Sequence, residues 1–155
     1  MTEWSFQLYS ARNHPPLSST LQLLAELGYT QVEGFGGLYD QAASLRQDLD
    51  RNGLTMPTGH FDLAMLEDLD QALPIIETLG VKAVICPHLA VEQRPSSTAG
   101  WKQLAETLNE VAKPYQAAGL GFGWHNHDFE FVALENGQTP MEILLENLMQ
   151  KMGWA

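Results

Sequence analysis

The chain has one cysteine, Cys86, so no internal disulfide can brace it. A lone thiol fits a reducing compartment, and its place in the apolar run AVIC makes it a small buried strand residue. Basic residues are scarce: eight Lys and Arg stand against 19 Asp and Glu, a formal charge of -11. That excess repels a phosphate backbone or an anionic bilayer surface, so neither nucleic acid nor membrane is an expected partner. No apolar run is long enough to span a bilayer, and MTEWSFQLYS lacks the basic start and apolar stretch of a signal peptide. The expected location is the cytoplasm. Neither GxGxxG nor GxxxxGK[ST] occurs, and GFGG at 34–37 is too short to cradle a nucleotide. Low-complexity runs are also missing, and 45% hydrophobic content places the 155 residues with folded proteins, as one expected domain spanning 1–155.

What the sequence does contain is a repeat. In AELGYTQVE, DRNGLTMPTGH, ETLGVKAVIC and QAAGLGFGWHNH an amphipathic stretch ends near a glycine and a β-prone run follows. Gly28, Gly53, Gly80 and Gly119 are the glycines, and one just past a helix can take the left-handed conformation that closes the last turn. Leu21, Leu24 and Ala25 form the apolar stripe of the first helix, with Ser18 or Ser19 as its cap. Leu45 and Leu49 do the same in the second. Leu104, Leu108, Val111 and Ala112 line the longest helix, where Pro114 is expected to kink or break it. Glu67, Asp68 and Asp70 read as the charged start of a helix, and Thr139 with Pro140 opens the last one. With SFQLYS as first strand, strand and helix alternate about five times.

Such alternation implies an α/β fold of parallel strands with right-handed crossovers. Two architectures satisfy it: a partial (β/α)8 TIM barrel with about five of eight units, or a doubly wound five-stranded sheet. Both bind ligands at the carboxyl ends of their strands. Those ends carry Gln7, Glu33, His60, His88, His125, Asn126 and His127. Strand alternation in GLGFGWHNH puts Gly121, Gly123, His125 and His127 on one face, pointing inward. Two imidazoles spaced by two suit either paired metal ligands or an acid/base pair. His14 lies in a proline-flanked loop, and Arg12, Arg46, Arg51 and Arg94 are scattered enough to read as surface charge.

SFQLYSAR, VEGFGGLY, PTGHFDL, ICPHLAVEQRPSSTAGW and above all GWHNHDFEF followed by NGQTPMEILLE resemble the sugar phosphate isomerase/epimerase family, with its xylose isomerase-like TIM barrel. The resemblance runs from about Trp4 to the end and is most specific at HNHDFEF. It implies a sugar or sugar phosphate as substrate and a divalent ion, Mn, Mg, Co or Zn. The family holds that ion with a glutamate on strand five, an aspartate on six, a histidine on seven and a glutamate on eight. Here the strand-five position matches His125, with Glu130 close by as a second metal candidate. KMGWA falls where strand six would begin. One or two ligands seldom hold a labile ion, so weak or no metal binding is expected of this chain alone.

By the same resemblance, His127, Glu33 and His60 are candidate catalytic residues, and Gln7, His88 and Asn126 candidate substrate contacts. The implied reaction is metal-assisted proton transfer next to a carbonyl through an enediolate-like intermediate. A barrel that stops after five units would expose sheet edges, from which self-association is expected. The alternative is a non-catalytic truncated barrel or assembly module. A DNA-repair endonuclease on the same barrel is disfavoured by the acidic charge and the lack of a basic groove.

Overall fold

The computed structural model describes residues 4–87 and 89–152, with side chains up to Leu148 in the last helix. Contacts divide the chain into two compact units, Met1–Ile85 and Cys86–Ala155.

The first unit contains β1 (Ser5–Gln7), α1 (Leu17–Glu26), β2 (Gln31–Gly34), α2 (Ala42–Arg51), β3 (Thr55–His60), α3 (Leu63–Glu67), α4 (Leu69–Leu79) and most of β4 (Ala83–Cys86). Every adjacent pair from β1 to β4 is parallel. Strand β2 shows why the sheet is placed as it is: Val32 and Gly34 are buried while Gln31 and Glu33 are half-buried, the period of two that gives one face to packing and the other to the site. Leu21, Leu24, Leu45 and Leu49, the expected helical stripes, are buried at 4% exposure or less.

The second unit holds α5 (Thr98–Ala117), β5 (Gly121–Trp124) and α6 (Pro140–Met152). Just past β5, the His125 N–H donates to the Cys86 carbonyl over 3.0 Å. The strand order is β1-β2-β3-β4-β5. A doubly wound sheet needs a point where strand order reverses, and none occurs here, so the barrel-type alternative is the one adopted. Cys86 is buried, as expected of a strand residue.

Gly28, Gly53, Gly80 and Gly119 have φ of 88°, 65°, 74° and 78°, the left-handed conformation on which the repeat was read. Helix α1 begins earlier than expected, at Leu17: Pro16 supplies the extended N-cap geometry, and Ser18 and Ser19 fall inside the first turn. Pro114 does not break α5, which runs on to Ala117; it removes a single N–H from the ladder near the helix end, where Ala112 and Tyr115 are anchored in the core. The acidic stretch 67–70 does cap a helix, since Asp68 Oδ1 accepts from Gln71 N at 3.1 Å. The short α3 before it, capped by Asp62, was not foreseen.

Arg46 corrects the surface-charge expectation. Its guanidinium donates to the Leu79 carbonyl at the end of α4 and to the Leu54 carbonyl ahead of β3, both at 3.1 Å, while pairing with Asp50. A planar fork can serve several carbonyls at once, so Arg46 ties α2 to two other segments of its unit. Arg51 does lie at the surface beside Asp48. No helix among the described residues is long and apolar enough to cross a membrane.

Candidate functional site

In the first unit, parallel register sets Gln7 beside Glu33 and Glu33 beside Thr58. Period two then returns the chain to the same face at His60, two residues after Thr58. The side chains close into one array. Glu33 Oε2 accepts from Thr58 Oγ1 at 2.6 Å, and Glu33 Oε1 lies 3.1 Å from His60 Nε2. His60 Nδ1 lies 3.2 Å from Gln7 Nε2. His60 is only 8% exposed.

The protonation pattern follows from one backbone group. Tyr9 N–H donates to Gln7 Oε1 at 2.5 Å, which fixes the amide oxygen there and turns the amide nitrogen toward His60. An amide N–H can only donate, so Nδ1 of His60 is the acceptor and its proton sits on Nε2, aimed at Glu33. The carboxylate thus receives a hydroxyl and an imidazole N–H, one on each oxygen. The structure brings together Gln7, Glu33 and His60, which sequence reading placed at strand ends, and adds Thr58, to which it gave no role although its spacing of two from His60 on a strand was the available signal.

Beneath this face lies Tyr39. Its ring stacks on Phe61 with centroids 4.5 Å apart, and its buried hydroxyl has no partner among the described residues. Burial raises its phenol far above the usual range, with a smaller contribution from the charge of Glu33, so it stays protonated. A Cβ at Gly59 would stand 2.6 Å from that hydroxyl, so glycine at this strand position is what admits the Tyr39 ring.

In the second unit, β5 ends at Trp124, so strand alternation does not carry through to His127 as expected. The rings of His125 and His127 still meet, edge to face, with centroids 5.1 Å apart. What brings them together is Glu130. This residue is 0% exposed; it accepts from Trp124 Nε1 at 3.1 Å and from the His127 N–H at 2.8 Å, folding 124–130 into a tight turn. Both of its oxygens are therefore engaged by the protein. His127 stacks on Phe129, and the Arg94 guanidinium lies 3.7 Å from the same ring centroid. Asn126 is exposed, with a long 3.5 Å contact to the His127 carbonyl. His88 lies outside the described residues.

Two pairs of potential metal ligands exist, His60 with Glu33 and His125 with His127, one in each unit. Among the described residues no group of three His, Cys, Asp or Glu could hold an ion. Two donors do not define the coordination a labile divalent cation needs, so the residues described do not fit the complete centre implied by the resemblance.

No protein-family model matches the chain, and no curated protein does. Solved structures do. A sugar phosphate isomerase/epimerase from Parabacteroides distasonis is 22% identical with a TM-score of 0.82, over 97% of this chain and 65% of that one. A xylose isomerase domain protein from Alicyclobacillus acidocaldarius is 17% identical with a TM-score of 0.65, over 94% and 59%. The IolI protein with a bound zinc atom is 17% identical with a TM-score of 0.62, over 79% and 51%. The chain thus spans less than two thirds of the length of each. With strands ordered sequentially and parallel, and with these structures superposing on it, the chain has the fold of the xylose isomerase-like TIM barrels, represented by five strands and their helices.

Proposed function

We propose that this chain carries residues of a sugar isomerase/epimerase-type site that moves a proton on carbon next to a carbonyl. The observation that supports it is the Gln7–His60–Glu33–Thr58 array at the carboxyl ends of β1, β2 and β3. Removing a proton from such a carbon needs a carboxylate or imidazole that is oriented and kept in a defined protonation state. Glu33 is assigned as the base, its two oxygens oriented by the Thr58 hydroxyl and by His60 Nε2. His60, with its lone pair spent on Gln7, orients Glu33 and shares its Nε2 proton with it rather than accepting from substrate. Gln7 fixes that tautomer. In the second unit, taken by itself, His127 and Asn126 are exposed just past β5 and are proposed as contacts for sugar hydroxyls, as is His88 by its position in sequence. His125 is the candidate ion ligand; Glu130, with both oxygens already engaged, is assigned to shaping the turn that presents it.

A non-catalytic module is the second reading, favoured by the way the array satisfies itself without a ligand. Proton wash-in separates the two. Incubated with ketohexoses and aldohexoses in D2O with Mn2+, the chain should exchange the hydrogen next to the carbonyl, seen by proton NMR, and Glu33→Gln should reduce that rate at least about a hundredfold. Absence of exchange above a protein-free control across the panel would leave the module.

A further inference from the structure

We infer that Arg94 is an anion-recognition residue, and that the ligand of the His125–His127 end of the second unit carries a carboxylate or phosphate group. This rests on the sugar site proposed above and names the class of sugar it takes.

Arg94 is held as a binding group rather than as a surface charge. Its Nε–H donates to the Leu89 carbonyl at 3.0 Å, which fixes the direction of the guanidinium. The guanidinium also lies over Phe129, its carbon 3.7 Å from the ring centroid, and His127 stacks on that ring at 6.0 Å with an interplanar angle of 11°. The His125 ring then meets His127 at 5.1 Å. Cation, phenyl ring and two imidazoles therefore form one contiguous array within residues 86–155.

The two terminal nitrogens of Arg94 are the unspent part of this arrangement. Among the described residues no carboxylate lies within ion-pair distance of Arg94, whereas Arg46 and Arg51 each hold an aspartate. In a chain with 19 acidic and only eight basic residues, a half-buried guanidinium with no acidic partner is unusual. A stacked, pre-oriented fork presents two parallel N–H groups, the geometry that matches a carboxylate or a phosphate. Such pre-organisation serves recognition, because little side-chain freedom remains to be lost on binding.

D-glucose, D-glucuronate, D-glucose 6-phosphate and inorganic phosphate would be titrated separately into the chain, with the ring C–H signals of His125 and His127 followed by NMR. At least one of the anionic sugars should perturb both rings and bind about tenfold or more tightly than glucose, and whichever binds tighter names the group. Arg94→Gln, with unchanged dispersion of its amide spectrum, should abolish that preference and leave glucose binding intact. A merely structural arginine would weaken neutral and anionic sugars alike. Equal binding of all three sugars, or an anion preference that survives Arg94→Gln, would overturn the assignment while the sugar site stood. Arg94-dependent perturbation by inorganic phosphate with no sugar binding at all would uphold the anion site and remove the sugar.

Discussion

Replacing Glu130 by alanine removes an acceptor that two donors share inside the second unit. The residue is 0% exposed, so Trp124 Nε1 and the His127 N–H, now at 3.1 and 2.8 Å from its oxygens, would face a void of carboxylate size. Hydrogen bonds to a charged acceptor contribute about 1.5–3 kcal/mol each, which for both bonds puts the gross loss near 3–6 kcal/mol. Against this stands the relief of no longer burying a charge, and water can reach the half-buried Trp124, so a net cost of about 2–4 kcal/mol is expected. Glu130→Gln tells the same story with the volume kept: an amide has one acceptor, so one of the two donors must meet an NH2 group, for about 1–3 kcal/mol. Urea titration by circular dichroism would give the stability change as a shift in midpoint at constant slope. The Trp124 indole N–H resonance should move in both variants. A change below about 0.5 kcal/mol in Glu130→Ala, with that resonance in place, would refute the assignment of the carboxylate as the organiser of the turn.

Arg46→Ala should cost about 2–3 kcal/mol in the same titration, since two part-buried carbonyls lose their donor, and Arg46→Lys should recover less than half because a point charge cannot span both. Tyr39→Phe should be neutral or stabilising by up to about 1 kcal/mol, because the hydroxyl it deletes is buried without a partner; a loss above that would reveal one. Nitrogen-resolved NMR of the wild-type imidazole should find His60 protonated at Nε2, and Gln7→Ala should move its Nδ1 signal; a proton on Nδ1 in the wild type would undo the tautomer chain. Glu142 accepts from the Thr139 N–H and, to a lesser degree, its hydroxyl, which lowers its pKa. A depressed carboxylate stabilises above its unfolded value near pH 4 and loses that contribution as pH falls through the folded one, so the stability gap between wild type and Glu142→Gln should close with acidification.

The local layer was written in the sequence. Helix stripes, the glycine stops at Gly28, Gly53, Gly80 and Gly119 and the Thr139 cap are decided by neighbours within a few residues, and all appear where the spacing put them. That Gln7, Glu33 and His60 fall at strand ends was legible for a related reason: strand ends follow from strand limits, which periodicity and the glycine stops mark. Contacts over long sequence separation were not legible. Nothing in the string says that Tyr9 N–H orients the Gln7 amide and through it the His60 proton, that Arg46 reaches Leu79 across 33 positions, or that Arg94 lies on Phe129. Secondary structure and the repeat come from local sterics and periodic burial, which the order of residues encodes directly. Protonation state, unpaired charge and the use of a carboxylate as brace or ligand depend on which distant groups supply donors, and only the folded chain makes that choice.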